Sequence, residues 1–328
     1  MAFTNPVYGD SDEPLGDHVR AGNQTLTLIA STPPAQTPVG DAPTLESHAI
    51  GGDDTVTAGS PGLSVAVGDA DLITDHARAG DDVVTAGASG EARAYGDAAT
   101  LSGHAFGGDD SVTANSDFAA FAYGDAGVMT DFAHGGDDTL TGHSFHAATV
   151  QFGDAETMSG HSHGGDDMLI AQPRASTLYG DAKLLSDGAI GGDDTLVGAS
   201  AFDQAFTVMY GDGEQLLGHA QGGDDVLVGG TTSNDTMWGD AATVGPQAGT
   251  GSDRFVFAPQ TGHDQIMDFQ PGKDHIELDG FGFNGFADLA SHFEETADGV
   301  LIGFDGNDDI LLRGVTKAQL SASDFILT

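Results

Sequence analysis

Hydrophobic residues recur in three columns when the chain is aligned on a repeated Asp-Asp pair. One column stands two positions after the second Asp: Val56, Val84, Val112, Leu140, Leu169, Leu196 and Leu227. Another stands eight positions before the first Asp: Leu45, Ile73, Leu101, Met129, Met158, Leu185 and Leu216. The third directly precedes a Gly-Asp dipeptide: Val39, Val67, Tyr95, Tyr123, Phe152, Tyr179, Tyr210 and Trp238. These columns predict about three short strands in every repeat.

The polar positions repeat with the same period. Seven Gly-Asp-Asp segments, such as GGDDTVT from Gly51 and GGDDTLT from Gly135, follow one another at intervals of 27 to 31 residues, most often 28. Such self-similarity is typical of a solenoid. We therefore predict an all-β fold, a parallel β-solenoid with coils of about 28 residues and a β-rich C-terminal cap.

The predicted domain boundary lies where this repeat changes, near Gly249. Residues 1–248 form the repeat region in this interpretation, and residues 249–328 form the cap. The segment 1–35 is a degenerate first coil, because Asn23 and Gln24 stand where later coils have the Asp pair. Terminal repeats of a solenoid are often atypical in this way.

Stacking the coils would place aspartates in register. Unit charges ~4.8 Å apart repel by about 0.9 kcal/mol in bulk water and by more near a protein surface. A cation between the coils would offset this repulsion. Calcium suits such a site because it accepts six to eight oxygen ligands, including the carbonyls of glycine-rich turns.

The charge of the chain limits its partners. It has 51 acidic and nine basic residues, which gives a net charge of −42, so we expect no nucleic-acid partner. No segment has the length and apolarity of a membrane span, and the N-terminus lacks the basic start and apolar run of a cleaved secretory signal. Membrane insertion and a cleaved signal are therefore not expected.

The Asp-Asp segments resemble a known calcium-binding motif. The Gly-x-Asp-x-aliphatic core of GGDDTVT, GGDDTLT and GGDDTLV resembles the nonapeptide of the repeats-in-toxin (RTX) proteins, whose parallel β-roll binds calcium between turns. The longer coil is similar to that of longer-repeat members of the group. The resemblance implies an RTX-like β-roll with multiple Ca²⁺ ions.

The resemblance also implies which residues bind calcium. The second Asp of each pair corresponds to the ligand Asp of the family: Asp54, Asp82, Asp110, Asp138, Asp167, Asp194 and Asp225. The first Asp is expected to lend its carbonyl or cap the turn. The Gly-Asp aspartates either complete the sites or form Asx-turns: Asp69, Asp97, Asp125, Asp154, Asp181 and Asp212.

The last eighty residues carry a second resemblance. GTGSDRFVF, GHDQIMDFQPGKDHIEL, VLIGFDGNDDILLRGV and SASDFILT resemble the C-terminal domain that follows RTX repeats in serralysin-type and other type I secreted proteins. This implies a cap that carries an uncleaved export signal, and it names the type I secretion machinery as a partner. The expected location is extracellular or at the cell surface. Phe286, Leu289 and Phe293 have the spacing of a short helix on this cap.

Two further columns suggest other chemistry. His18, His48, His76 and His104 occupy one position of successive coils, as metal ligands, a pH sensor or turn residues with positive φ. The T-x-T motif of Thr55/Thr57 and Thr139/Thr141 is similar to ice-binding faces, although β-branched residues on strands need no special function.

No catalytic motif such as HExxH, GxSxG or a P-loop is present, and the chain has no cysteine. We therefore expect a protein that is not an enzyme. The favoured function is that of a secreted calcium-binding structural protein, a component of an extracellular matrix, filament or surface layer that self-associates. The alternative is an adhesin or ice-binding module that uses the outer solenoid face.

Overall fold

The computed structural model describes residues 5–32, 35–200, 206–306 and 308–328. In chain order the strands are β1 (Pro6–Tyr8), β2 (Thr25–Ile29), β3 (Thr37–Val39), β4 (Ala42–Leu45), β5 (Thr55–Ser60), β6 (Leu63–Val67), β7 (Ala70–Ile73), β8 (Val83–Ala88), β9 (Glu91–Tyr95), β10 (Ala98–Leu101), β11 (Ser111–Ser116), β12 (Ala119–Tyr123), β13 (Ala126–Met129), β14 (Thr139–Ser144), β15 (Thr149–Phe152), β16 (Ala155–Met158), β17 (Met168–Ile170), β18 (Ala175–Tyr179), β19 (Ala182–Leu185), β20 (Thr195–Val197), β21 (Phe206–Tyr210), β22 (Gly213–Leu216), β23 (Val226–Val228), β24 (Thr236–Trp238), β25 (Ala241–Val244), β26 (Arg254–Phe257), β27 (His263–Ile266), β28 (His275–Leu278), β29 (Phe293–Glu295), β30 (Gly299–Asp305), β31 (Asp308–Arg313) and β32 (Phe325–Leu327). Helix α1 covers Phe286–Leu289, and single 3₁₀ turns cover Ala290–His292, Lys317–Gln319 and Ala322–Asp324.

The strands form three sheets whose neighbours come from successive coils. One sheet follows the order β2-β5-β8-β11-β14-β17-β20-β23-β26-β28-β32, a second runs from β4 to β25, and a third runs from β1 through β27 to the hairpin of the cap. Equivalent residues pair in parallel, as Val56 does with Val84 and Val84 with Val112. The predicted all-β parallel solenoid with a repeat of about 28 residues is confirmed.

The three hydrophobic columns form the interior. The columns that begin at Val56 and Leu45 are fully buried in two separate clusters. The aromatic column forms a third cluster, in which the ring centroids of Tyr95 and Tyr123 lie 4.5 Å apart with their planes 4° from parallel. The hydrophobic columns therefore stack each buried side chain against the same position of the neighbouring coils.

Parallel stacking continues beyond Gly249. Strand β26 pairs with β23, β28 with β26, and β32 with β28. The last sheet then turns antiparallel, because β31 pairs with β30 and β30 with β29. The short helix expected on the cap is present as α1 and contains Phe286 and Leu289, but Phe293 lies beyond it, at the start of β29. Leu289 and Phe293 are both buried in the main core. No helix in the described part of the chain is long and apolar enough to cross a membrane.

Candidate metal-binding columns

The second Asp residues of the pairs line up along the solenoid as one buried ladder, here called the pair column. Its members from Asp54 to Asp225 are 1–3% exposed. One carboxylate oxygen of each accepts the backbone N–H of its equivalent in the preceding coil: Asp54 donates to Asp82 at 2.6 Å, and Asp82 donates to Asp110 at 2.7 Å. The same pattern extends to Asp253, whose Oδ1 accepts the N–H of Asp225 at 3.1 Å.

The other oxygen of each pair-column carboxylate has no such partner. Within the described residues, Oδ2 receives no hydrogen-bond donor in Asp54, Asp82, Asp110, Asp138, Asp167, Asp194, Asp225 and Asp253. An unsatisfied buried carboxylate oxygen is costly, because folding removes it from water without a replacement. A ligand is therefore the simplest account of this column.

The Gly-Asp aspartates form a second ladder, here called the marker column. Asp69, Asp97, Asp125, Asp154, Asp181 and Asp212 have no solvent exposure. One oxygen of each accepts the N–H of a glycine eleven residues further on, as Asp125 does from Gly136 at 3.0 Å. The partner lies in the next Asp-Asp turn instead of the two-residue reach of an Asx-turn. The second oxygen receives no donor from the described residues in these six and in Asp41.

Glycines at the turns allow the two columns to lie close together. A Cβ on Gly96, beside the marker Asp97, would lie 1.9 Å from Oδ2 of Asp110 in the pair column. A Cβ on Gly107, in the Asp-Asp turn, would lie 1.8 Å from Oδ1 of Asp125 in the marker column. Only glycine leaves room for carboxylates at these turns, which explains the repeated glycines of the motif.

Burial makes both ladders electrostatically unfavourable. It raises the pKa of Asp54 to about 7 and the pKa of Asp253 to about 9, with neighbouring carboxylates adding to the rise. Burial also raises the pKa of Asp69 and Asp110 well above the usual range. A cation between the carboxylates would reverse this effect because it favours their ionised form.

The donor set fits a hard cation. Each coil from Asp41 and Asp54 to Asp212 and Asp225 offers one donor-free oxygen from each column, and calcium accepts carboxylate and carbonyl oxygens at flexible geometry. Among the described residues, no three His, Cys, Asp or Glu side chains converge as a ready metal site. An ion here would therefore need backbone carbonyls or water in addition to the two columns.

The predicted ligand set left out residues at the ends of both columns, although Asp41 and Asp240 belong to the aligned Gly-Asp dipeptides. Asp41 and Asp240 extend the marker column, and Asp253 and Asp274 extend the pair column through backbone hydrogen bonds. Their spacing was a usable signal, because Asp240 follows Asp212 and Asp253 follows Asp225 by 28 residues.

The first Asp of each pair forms an exposed outer ladder. Oδ1 of Asp109 accepts the N–H of Asp137 at 3.1 Å, and Oδ1 of Asp137 accepts that of Asp166 at 3.0 Å. These side chains therefore serve the backbone of the next coil and remain in contact with solvent.

The histidine column stacks on an exposed corner, with ring centroids of His76 and His104 5.0 Å apart. The expected positive φ at the histidine itself is wrong for all described members except His18, and it belongs to the residue before, such as Asp75 or Gly103. The turn reaches its left-handed residue one position earlier, where Asp and Gly tolerate that conformation.

Comparison with known proteins identifies a family. The sequence model of the peptidase M10 serralysin C-terminal family matches residues 96–328, more than two thirds of the chain. No curated protein matches the sequence. The matched region is the non-catalytic repeat part of serralysin-type proteases, not their catalytic domain.

Proposed function

Because the chain belongs to the serralysin C-terminal family of RTX-type β-rolls, we propose that it is a secreted, calcium-binding structural protein whose repeats fold when calcium binds. The family implies calcium and type I secretion. The observation that carries the proposal is the pairing of two buried ladders in which seven marker and eight pair carboxylates each leave one oxygen without a donor among the described residues.

Calcium would be held by the two columns together. The ligands would be the seven predicted residues of the pair column, from Asp54 to Asp225, and the six of the marker column, from Asp69 to Asp212. The free energy of binding would then be part of the free energy of folding, because the unfolded chain has no site. In low calcium, repulsion between the ladders would keep the repeats open, and extracellular calcium would close them.

Limited proteolysis tests this coupling. Chelator-treated protein should be cut throughout the coils from Asp41 to Asp225, and calcium should protect the same region. Magnesium at equal concentration should protect poorly, because it prefers strict octahedral geometry and keeps its water. Equal resistance with and without calcium would contradict the proposal.

The proposed structural role rests on the N-terminal end of the solenoid. Strand β2 is the edge of its sheet, and Ile29 at its end is 68% exposed. Open strand edges can pair with another chain, which favours a matrix, filament or surface layer built by self-association. Negative-stain microscopy in calcium should show end-to-end assemblies, and only single rods at high concentration would count against this role.

One observation favours the outer-face alternative of an adhesin or ice-binding module. The T-x-T side chains point outward on the sheet that contains β5, and the hydroxyls of Thr113 and Thr141 lie 3.0 Å apart. The row is interrupted by Met168 and Ile170. Assays of ice recrystallisation and glycan binding separate this alternative from the structural role.

A further inference from the structure

The last member of the marker column, Asp240, has a hydrogen-bond donor that the other members lack. Both oxygens of Asp240 have donors: Oδ1 accepts the N–H of Gly251, and Oδ2 accepts the side-chain amide of Gln270 at 2.7 Å. From Asp41 to Asp212, by contrast, every marker carboxylate keeps one oxygen without a donor among the described residues. Gln270 therefore donates a hydrogen bond to the oxygen of Asp240 whose equivalents in the other coils have no donor.

The last member of the pair column, Asp274, also has donors for both of its carboxylate oxygens. Oδ1 of Asp274 accepts the N–H of Asp253 at 3.2 Å, and its Oδ2 accepts the N–H of Gln270 at 2.6 Å. Asp268 beside it accepts the N–H groups of Gly239 and Asp240 at 2.8 and 3.2 Å. The backbone and side chain of one glutamine thus satisfy the last member of each column.

Lys273 holds that glutamine and adds a positive charge. Its ammonium donates to Oε1 of Gln270 at 3.4 Å and to the hydroxyl of Thr250, which directs the Gln270 NH₂ group toward Asp240. Burial raises the pKa of Asp240 to about 6, and Lys273 is among the groups that limit this rise. It is one of four basic residues beyond position 250.

The N-terminal end of the columns lacks an equivalent set of donors among the described residues. The amide nitrogen of Gln24 donates to Oδ1 of Asp10, but its Oε1 is buried and has no donor from the described residues. No lysine occurs before Lys183. The first coil therefore leaves a neutral oxygen ligand beside Asp54, whereas the C-terminal end presents donors.

We propose that Gln270 and Lys273 replace the last cation of the row, so that ions bind along the columns up to Asp212 and Asp253 and none binds between Asp240 and Asp274. This inference rests on the proposed calcium binding. It assigns the two side chains a role as an internal substitute for calcium, which lets the start of the cap fold before the ions arrive.

Calcium counting on the full chain tests the assignment. Lys273→Met and Gln270→Leu should each open one position, and equilibrium dialysis should show about one additional calcium per chain. Lys183→Met is the matched control, because Lys183 is exposed and its ammonium lies 3.6 Å from Glu214, which belongs to neither column. An unchanged ion count in both variants, with calcium still bound, would overturn the inference but not the proposed function.

Trp238 supplies a local readout. It is the only tryptophan of the chain and lies two residues before Asp240. Terbium luminescence excited through this ring should increase in Lys273→Met relative to the wild type and to Lys183→Met. Equal luminescence in all three proteins would place no new ion beside Asp240 and would contradict the proposal.

Hydrogen exchange on the wild type tests the proposal even if the variants do not fold. In chelator, the N–H groups of Gly239, Asp240 and Gly251 should stay protected, because protein carboxylates and Gln270 complete their environment. The N–H groups of Gly108 and Gly136, which donate to Asp97 and Asp125, should exchange quickly. Equally fast exchange in both sets of N–H groups would contradict the proposed role of Gln270 and Lys273. Failure of the wild type to bind calcium would instead contradict the proposed function itself.

Discussion

At the residue scale, two aspartates that are adjacent in sequence occupy opposite environments. Asp109 is exposed, whereas Asp110 is 3% exposed and leaves its Oδ2 without a donor among the described residues. The alternation of strand-like backbone points one side chain outward and the next inward. A single turn therefore contains both a solvated carboxylate and a candidate ligand.

This difference predicts contrasting effects of the same substitution. Asp110→Asn should weaken the calcium-loaded protein by about 1–3 kcal/mol, because a charged ligand is lost, and should stabilise the calcium-free protein by removing a buried charge. Asp109→Asn should change either form by less than about 0.5 kcal/mol. Chemical denaturation in saturating calcium measures the loss in the loaded form, and the far-UV β signal in chelator measures the gain in the calcium-free form. Equal effects at the two positions would contradict the ligand role.

Glycine at the turns gives a second prediction. Gly107→Ala places a methyl group where Oδ1 of Asp125 now lies, so we expect a loss of about 1–3 kcal/mol or more in unfolding free energy. Gly87→Ala is the control, since the carbonyl oxygen of Ala58 would lie 3.8 Å from the new Cβ, an ordinary van der Waals distance. Comparable thermal stability of the two variants would argue against the close approach of turn and carboxylate.

At the element scale, each strand gains its stability from its equivalents above and below. Tyr123 is 3% exposed and stacks between Tyr95 and Phe152, at centroid distances of 4.5 and 5.0 Å. The stack confirms that the aromatic column packs inside the fold. It also explains why single coils are not expected to be stable alone.

We expect Tyr123→Ala to cost about 3–5 kcal/mol, because it removes a buried ring from the middle of the stack. Tyr123→Phe keeps the stacked ring and should lose far less. Urea denaturation in saturating calcium measures both variants. A small effect of Tyr123→Ala would mean that the aromatic column contributes little to coil stacking.

Several features of these elements could be predicted from the sequence, and others could not. The hydrophobic columns and the coil length follow from a period of about 28 residues, whereas the choice of the second Asp of each pair came from the resemblance to RTX repeats. The hydrogen bonds that Gln270 and Lys273 make at the ends of the columns could not be predicted, because Asp274 follows Asp253 by only 21 residues and the register changes there. The left-handed turn position was also misplaced by one residue, since Asp, Ser and Gly share it without a common motif.

At the scale of the whole molecule, the ladders make stability depend on protons as well as on cations. Burial raises the pKa of Asp41 and Asp154 to about 6, of Asp54 to about 7 and of Asp253 to about 9. An unfolded Asp has a pKa of about 4. The folded state therefore binds more protons than the unfolded state between these values.

The sign of the pH dependence follows. Without calcium, the stability contributed by these groups is fully present below about pH 4 and is lost as the pH rises through about 6 to 9. In chelator, the β signal and any melting temperature should thus be higher at pH 5, where part of the ladder is protonated, than at pH 9. Saturating calcium should flatten or reverse the trend, because protons then compete with the ions, and a calcium-free melting temperature that rises with pH would contradict the account.

The most direct test of the central claim is far-UV circular dichroism during a calcium titration of chelator-stripped protein, with magnesium as the control. The account predicts a cooperative change from coil to β structure at calcium concentrations of about 0.1 to 1 mM, with little response to magnesium. A full β signal in the absence of calcium, unchanged through the titration, would contradict it, because the buried carboxylate ladders would then be stable without a cation.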